Sequence, residues 1–282
     1  MMQKKQVIII GLCMLFIMFL FGCSSTTSTE KVNSKAEENS TQANKYKTIT
    51  EGKLTFALSG MAKPYNYTDK DNTLVGFDVD IANEVAKRLG LEPMPVQTTW
   101  GSILQGLKAG KYDAIIGGMS ITEERAKQVD FSQPYFLSQA AIFVNEKNSS
   151  GINTKEDLQG RVVGVVTAST YKDFAQELVG PNGKVREYET DIFALQELKN
   201  EGRVDAVITD LGVGQHAIQE SNIPVKAVGQ PVYVDKCGIP VQKGNKELLE
   251  AVNKALREME ADGTYLKISK KWFNRDMLAA SN

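Results

Sequence analysis

The chain predicts an α/β fold in two similar lobes, and three observations carry that expectation. Short β-branched runs alternate with helical segments from Lys53 onward. The runs are apolar throughout instead of alternating, which suits largely parallel strands covered by helices on both faces. One helix, glycine turn and strand unit also occurs twice: GKYDAIIGG (110–118) and GRVDAVITD (202–210) share a glycine, a basic residue, Asp-Ala and a β run at an offset of 92 residues. A chance likeness between two common units is the competing explanation. Ligands of open α/β sheets bind beyond the carboxyl ends of strands, so the ends of these two strands are the first places to look for a site.

The elements follow in chain order. Residues 1–22 carry Lys4 and Lys5, an apolar stretch from Val7 to Phe21 and then Gly22 before Cys23, which is the order of a secretory signal. The apolar stretch has 15 residues, whereas a permanent span needs about 20. Residues 23–50 read as a disordered tether, since Val32, Ala36 and Ala43 alone are apolar between Ser24 and Lys45. So little burial does not offset the entropy of ordering the chain, and 22 flexible residues reach about 25 Å. LTFALS (54–59) is the first strand. Ile81, Val85 and Leu89 then recur every four residues up to Gly90, and Ile103, Leu104 and Leu107 follow Trp100 up to Gly110, giving two helices. DAIIGG (113–118) is a strand, and Thr122-Glu123-Glu124-Arg125 is a capped helix start with acids in its first turn. RVVGVV (161–166), a helix over 171–179, DAVITD (205–210) and helices between Lys246 and Phe273 complete the body.

Composition excludes several classes of function. Lys and Arg number 33 against 34 Asp and Glu, for a formal charge of -1, so there is no basic field for a nucleic-acid backbone. His216 is the single histidine, which excludes a multi-histidine metal site; any catalytic dyad built on histidine would have to use it. Cys13, Cys23 and Cys237 form neither a disulfide framework nor a zinc knuckle, and Cys237 reads as a small buried hydrophobe. No cofactor and no metal are expected.

The motifs Gly76-Phe77-Asp78-Val79-Asp80-Ile81, Trp100, the Leu107–Gly118 unit, Ser120-Ile121-Thr122-Glu123-Glu124-Arg125, Asp130-Phe131-Ser132-Gln133-Pro134-Tyr135, Asp205-Ala206 and Asp262-Gly263-Thr264-Tyr265 through Trp272-Phe273 stand in one order across residues 50–276. Together they closely resemble the bacterial extracellular solute-binding proteins of family 3, which feed polar amino acids to ABC importers. Leu20-Phe21-Gly22-Cys23 resembles a lipobox, with Phe21 where a small residue is usual. The resemblance implies a two-lobed periplasmic-binding-protein-like fold of type II with two hinge crossings. Lobe 1 would comprise 51–141 and 235–276, and lobe 2 would comprise 142–234. It also implies lipidation of Cys23, location on the outer face of the cell membrane, a monomer, a free amino acid as ligand and an ABC permease as partner. A sensor domain for a signalling partner and an exported dehydratase-like enzyme of the same fold are the competing classes.

An amino acid presents a planar carboxylate and an ammonium about 3 Å apart, so its pocket needs a forked cation and an anion. The resemblance gives Arg125 the carboxylate and Asp210 the ammonium, although such an Arg is often a solvated helix face and such an Asp often a cap. It adds Gly118 and Ser120 as main-chain and hydroxyl contacts, Ser169 and Thr170 as donors before the 171–179 helix, Trp100 as a wall, and Ser59 at the end of the first strand. A plain cap is the alternative for Thr170. Tyr65 is expected to pack, and Asp78 and Asp80 to cap or support. Two departures stand out: Thr167-Ala168-Ser169-Thr170 lacks the glycine often found there, and Ser59 stands where relatives that take cationic side chains carry an acid. The ligand expected is therefore a neutral or polar amino acid, with cystine or cysteine as specific candidates.

Overall fold

The computed structural model describes residues 46–147, 150–200, 202–221 and 223–279. The expected signal, Cys23 and nearly all of the expected tether lie outside those residues. The first strand, β1 (Lys53–Leu58), is buried over five of its six positions. β2 (Met61–Ala62), β3 (Asn66–Thr68) and β4 (Leu74–Val75) form a small antiparallel sheet that the hydrophobic pattern does not announce, because its strands are only two or three residues long. α1 (Phe77–Leu89) buries Ile81, Val85 and Leu89 along one face, as their spacing predicts, and ends at Gly90. β5 (Glu92–Gln97), α2 (Trp100–Lys108), β6 (Ala114–Ile115), β7 (Met119–Ser120) and α3 (Glu123–Gln128) follow. Thr122 caps α3 by accepting the Arg125 amide at 3.1 Å.

β8 (Val129–Asn145) then runs into the second lobe, where β9 (Val162–Val166), α4 (Tyr171–Val179), β10 (Lys184–Tyr188), α5 (Asp191–Glu197), β11 (Ala206–Asp210) and α6 (Leu211–Ser221) alternate. β12 (Val225–Gln242) returns, and α7 (Lys246–Ala261) and α8 (Thr264–Phe273) close on the first lobe.

Among the described residues the main sheet runs in the order β10-β9-β11-β8-β12-β6-β1-β5, with β7 on β12. Each lobe contributes a parallel group, β6-β1-β5 and β10-β9-β11. The two crossings lie between them and pair antiparallel with each other along most of their length. They have 17 and 18 residues, about 55 Å of extended chain, enough to enter both lobes. β8 places Tyr135 and Phe136 in the first lobe's core and Ala140, Ile142 and Val144 in the second's. Register breaks at Val228/Tyr233 and around Gly238 interrupt the ladder near the middle of the molecule, where bulges bend strands.

The internal echo is structural. Asp113 accepts the Thr55 amide at 2.8 Å and returns its own amide to the Thr55 carbonyl at 2.8 Å; Asp205 does the same with Val162, again at 2.8 Å in each direction. The glycines that open the two units have φ of 71° and 80°, a left-handed turn that glycine adopts without a Cβ clash. In each lobe the aspartate thus pins the start of the lobe's central strand to the turn before the next one. Asp113 also accepts the Ile49 amide at 2.7 Å. Asp113→Ala leaves two donors without their acceptor and is expected to cost about 2–4 kcal/mol, Asp205→Ala about 1–2. Urea unfolding checks both, and wild-type midpoints would refute the pinning role.

Candidate functional site

The carboxyl ends of β1, β9 and β11 open on one cavity of about 350 Å³ between the lobes. All eight residues singled out in the sequence line it: Ser59, Trp100, Gly118, Ser120 and Arg125 from the first lobe, and Ser169, Thr170 and Asp210 from the second. Their hydrogen bonds revise several of the expected contacts.

Asp210 ends β11 and is 7% exposed. Its Oδ1 accepts the Gly212 amide at 2.8 Å, the Val213 amide at 3.1 Å and the Tyr65 hydroxyl at 2.9 Å, while Oδ2 accepts the Ser138 hydroxyl at 2.7 Å. The cap reading is therefore correct for one oxygen, while the other retains room for a further donor. Burial pushes the Asp210 pKa up and the Ser138 and Tyr65 hydrogen bonds oppose it, so the carboxylate is desolvated but held. Tyr65 packs against Phe77, Phe136 and Phe273, as expected. It also lines the cavity and reaches across to Asp210, a role that packing alone does not describe.

Arg125 is turned into the cavity and is no solvated helix face. Its guanidinium donates to the Ser120 carbonyl at 3.0 Å and, across the cleft, to the Ala168 carbonyl at 3.0 Å. Burial lowers its pKa and nearby Asp235 opposes that. Ala168 has φ of 55°, so the position where relatives often carry glycine does adopt the left-handed conformation, which costs an L-residue about 1–2 kcal/mol.

Five contacts need correction. The Gly118 amide is taken by the Tyr135 hydroxyl at 2.8 Å, so it is no free donor. The Ser169 hydroxyl donates back to the Val166 carbonyl at 2.6 Å. Thr170 precedes α4 but makes no side-chain cap; its hydroxyl donates to Asp235 at 2.7 Å, as does that of Ser120 at 2.7 Å. Ser59 donates to Asn66 Oδ1 at 3.0 Å and thereby joins a buried chain: Asn66 Nδ2 and the Tyr135 hydroxyl each donate to Asp78 at 2.7 Å. Asp78 is thus structural, but Gly76 and not Asp78 stands at the cap of α1. Asp80 is structural too, accepting from Lys271 and from the Trp272 indole at 2.7 Å each.

The sequence reading missed the acidic wall of the second lobe. Glu189, Thr190 and Asp191 line the cavity where β10 gives way to α5. Asp191 accepts the Thr209 hydroxyl, and burial, with the Asp210 charge close by, raises its pKa. The signal was available, since Thr190 caps α5 immediately after a strand and strand ends are where such folds bind. Among the charged lining residues, Arg125 faces three carboxyl groups, those of Glu189, Asp191 and Asp210.

A profile of the bacterial extracellular solute-binding proteins, family 3, matches residues 54–275. The chain belongs to this family. The L-cystine-binding protein TcyJ of Escherichia coli (strain K12) is 34% identical over 226 residues, 80% of this chain and 84% of that protein. The L-cystine-binding protein TcyA of Bacillus subtilis (strain 168) is 35% identical over 228 residues, 80% of this chain and 83% of that protein. A solved ancestral arginine-binding protein bound to glutamine superposes with a TM-score of 0.75 at 44% identity, covering 80% of this chain and 100% of that one. The solute-binding fold is thus the two-lobed type II arrangement, and no helix among the described residues is long and apolar enough to cross a membrane.

One titration in this solute-binding protein has a readable sign. Burial raises the Asp78 pKa from 3.8 to about 6 despite the Tyr135 and Asn66 hydrogen bonds. The folded state then holds this proton more tightly than the unfolded chain does. The associated stability is full below pH 3.8 and is lost as pH rises through about 6, some 3 kcal/mol in all. Urea unfolding of wild type and Asp78→Asn across that range is expected to show wild type losing stability relative to the variant as pH rises; parallel curves would contradict it.

Proposed function

We propose that this protein captures a free amino acid between its lobes and delivers it to an ABC permease at the outer face of the cell membrane. The observation that carries the reading is the placement of Arg125 and Asp210, from different lobes, on one desolvated cavity. The guanidinium takes the ligand's carboxylate, with the amino end of α4 as a second source of donors. The open side of Asp210 takes the ammonium. Ligand that touches both lobes binds the closed form better than the open one and so shifts the population toward it. The lobe limits 51–141 with 235–276, and 142–234, are part of this proposal; the separate hydrophobic cores on either side of the crossings support them.

The ligand is a polar amino acid whose side chain brings further donors, and cystine fits best. Its second ammonium meets Asp191 and Glu189 while its disulfide lies against Trp100, and two of the relatives above are named for cystine. Arginine is the second reading, favoured by the same two acids and opposed by Ser59, which supplies no charge from the first lobe. Catalysis is the weaker class. Asp191 and Asp210 are occupied in holding hydroxyls and amides, and His216 is absent from the lining. A signalling role would replace the permease with another membrane partner, which a pull-down from membranes separates. Cys23 is proposed as the lipid-bearing first residue of the mature chain, without a bound cofactor and working as a monomer.

A thermal-shift panel of amino acids with cystine tests the ligand, since a binder at 100 times its Kd stabilises by about 2.7 kcal/mol. Removing one partner of a buried charge pair costs about 2–5 kcal/mol, so by calorimetry Arg125→Ala and Asp210→Ala are each expected to weaken binding about 30-fold to several thousand-fold. Either variant binding like wild type would show the clamp to be misassigned. Mass spectrometry of the surface-attached protein checks the anchor: a diacylated Cys23 is expected, and a mature amino terminus elsewhere would remove that part of the proposal.

A further inference from the structure

Asp235 lies on the returning crossing β12, outside the residues that line the cavity, and sequence reading gave it no role. One of its oxygens, Oδ2, is the shared acceptor of two hydroxyls from opposite lobes: Ser120 at 2.7 Å and Thr170 at 2.7 Å. A carboxylate can only accept, so both hydroxyl hydrogens point at Asp235. The Tyr233 hydroxyl lies 3.0 Å from Thr170 Oγ1. With the threonine hydrogen already committed, Tyr233 is the donor in that contact. The order of donation is then Tyr233 to Thr170 to Asp235, with Ser120 entering from the other lobe.

Two consequences follow. The first is mechanical: hinge strand, first lobe and second lobe meet on one oxygen through short charge-assisted bonds, which are stronger than neutral ones. The second is chemical. Ser120 and Thr170 present lone pairs to the cavity, so neither hydroxyl is left to donate to a ligand's carboxylate, and that duty falls to Arg125 and main-chain amides. The nearby Arg125 guanidinium balances the Asp235 charge.

We propose that Asp235 is a positioning residue for capture, a bridge that joins the two lobes behind the carboxylate end of the site and fixes the hydroxyls of Ser120 and Thr170 as acceptors. The proposal rests on the capture reading, and its test separates the two. Non-cysteine spin labels at exposed Gln105 and Lys184, one on each lobe, report the interlobe distance without any ligand. Asp235→Asn keeps the shape and removes the charge; Thr170→Val removes one donor.

In the unliganded protein both variants are expected to shift the distance distribution toward longer values than in wild type. With the amino acid found by the thermal-shift panel, both are expected to release it about 10-fold faster, with association changed by less than about 2-fold. The double variant is expected to release it no faster than Asp235→Asn alone, because the two act through one contact. A general loss of packing would lower Tm without this pattern, and Asp235→Glu is expected to restore part of the wild-type distance. Identical distance distributions in wild type and Asp235→Asn, or additive effects in the double variant, would overturn the bridge. If no amino acid bound wild type while the distances still shifted, the bridge would stand and the capture reading would fall.

Discussion

The desolvated carboxylate of Asp210 is the contact on which the arrangement of the cavity depends. A buried anion is tolerated only when its lone pairs are filled. Asp210 draws those donors from its own helix, from the crossing strand through Ser138, and from the far lobe through Tyr65. Tyr65 is anchored by three aromatic neighbours of the first lobe. The orientation of one lobe is in this way registered at a carboxylate belonging to the other. Arg125 repeats the device in the same sense, with a first-lobe cation on a second-lobe carbonyl.

Behind the cavity a second polar chain runs from Ser59 through Asn66, Asp78 and Tyr135 to the Gly118 amide. It joins the end of β1, the small three-stranded sheet, the first turn of α1 and β8. It explains why Gly118 and Ser59 face the cavity with so few free donors: their polar groups are committed to shape. The cost is a carboxyl group, Asp78, that burial makes reluctant to ionise.

The strands and helices of this protein were legible because their apolar spacing is regular: Ile81, Val85 and Leu89 define α1, and the echoed Asp113 and Asp205 mark equivalent turns. The direction of the crossings was not legible. Antiparallel pairing of β8 with β12 is a contact between residues about 100 apart, and nothing local encodes it. Among the site residues, Arg125 and Asp210 were visible as charges at predicted element ends. Asp235 and Asp191 were not singled out, because an acid on a strand or in a helix's first turn reads as ordinary surface until its neighbours are known. Hydroxyl direction was the least legible property of all. Ser120, Ser169 and Thr170 all line the cavity, yet which of their partners takes the hydrogen depends on Asp235 and Val166.

The two long strands between the lobes are more than connectors. Tyr135 and Ser138 on β8, and Asp235 on β12, each hold a group that faces the cavity. Flexing these ribbons therefore retunes recognition chemistry as directly as it changes the gap. Stiffness and selectivity share the same few side chains here, and an engineer who sought a slower-moving variant by altering the ribbons would at the same time obtain a different receptor.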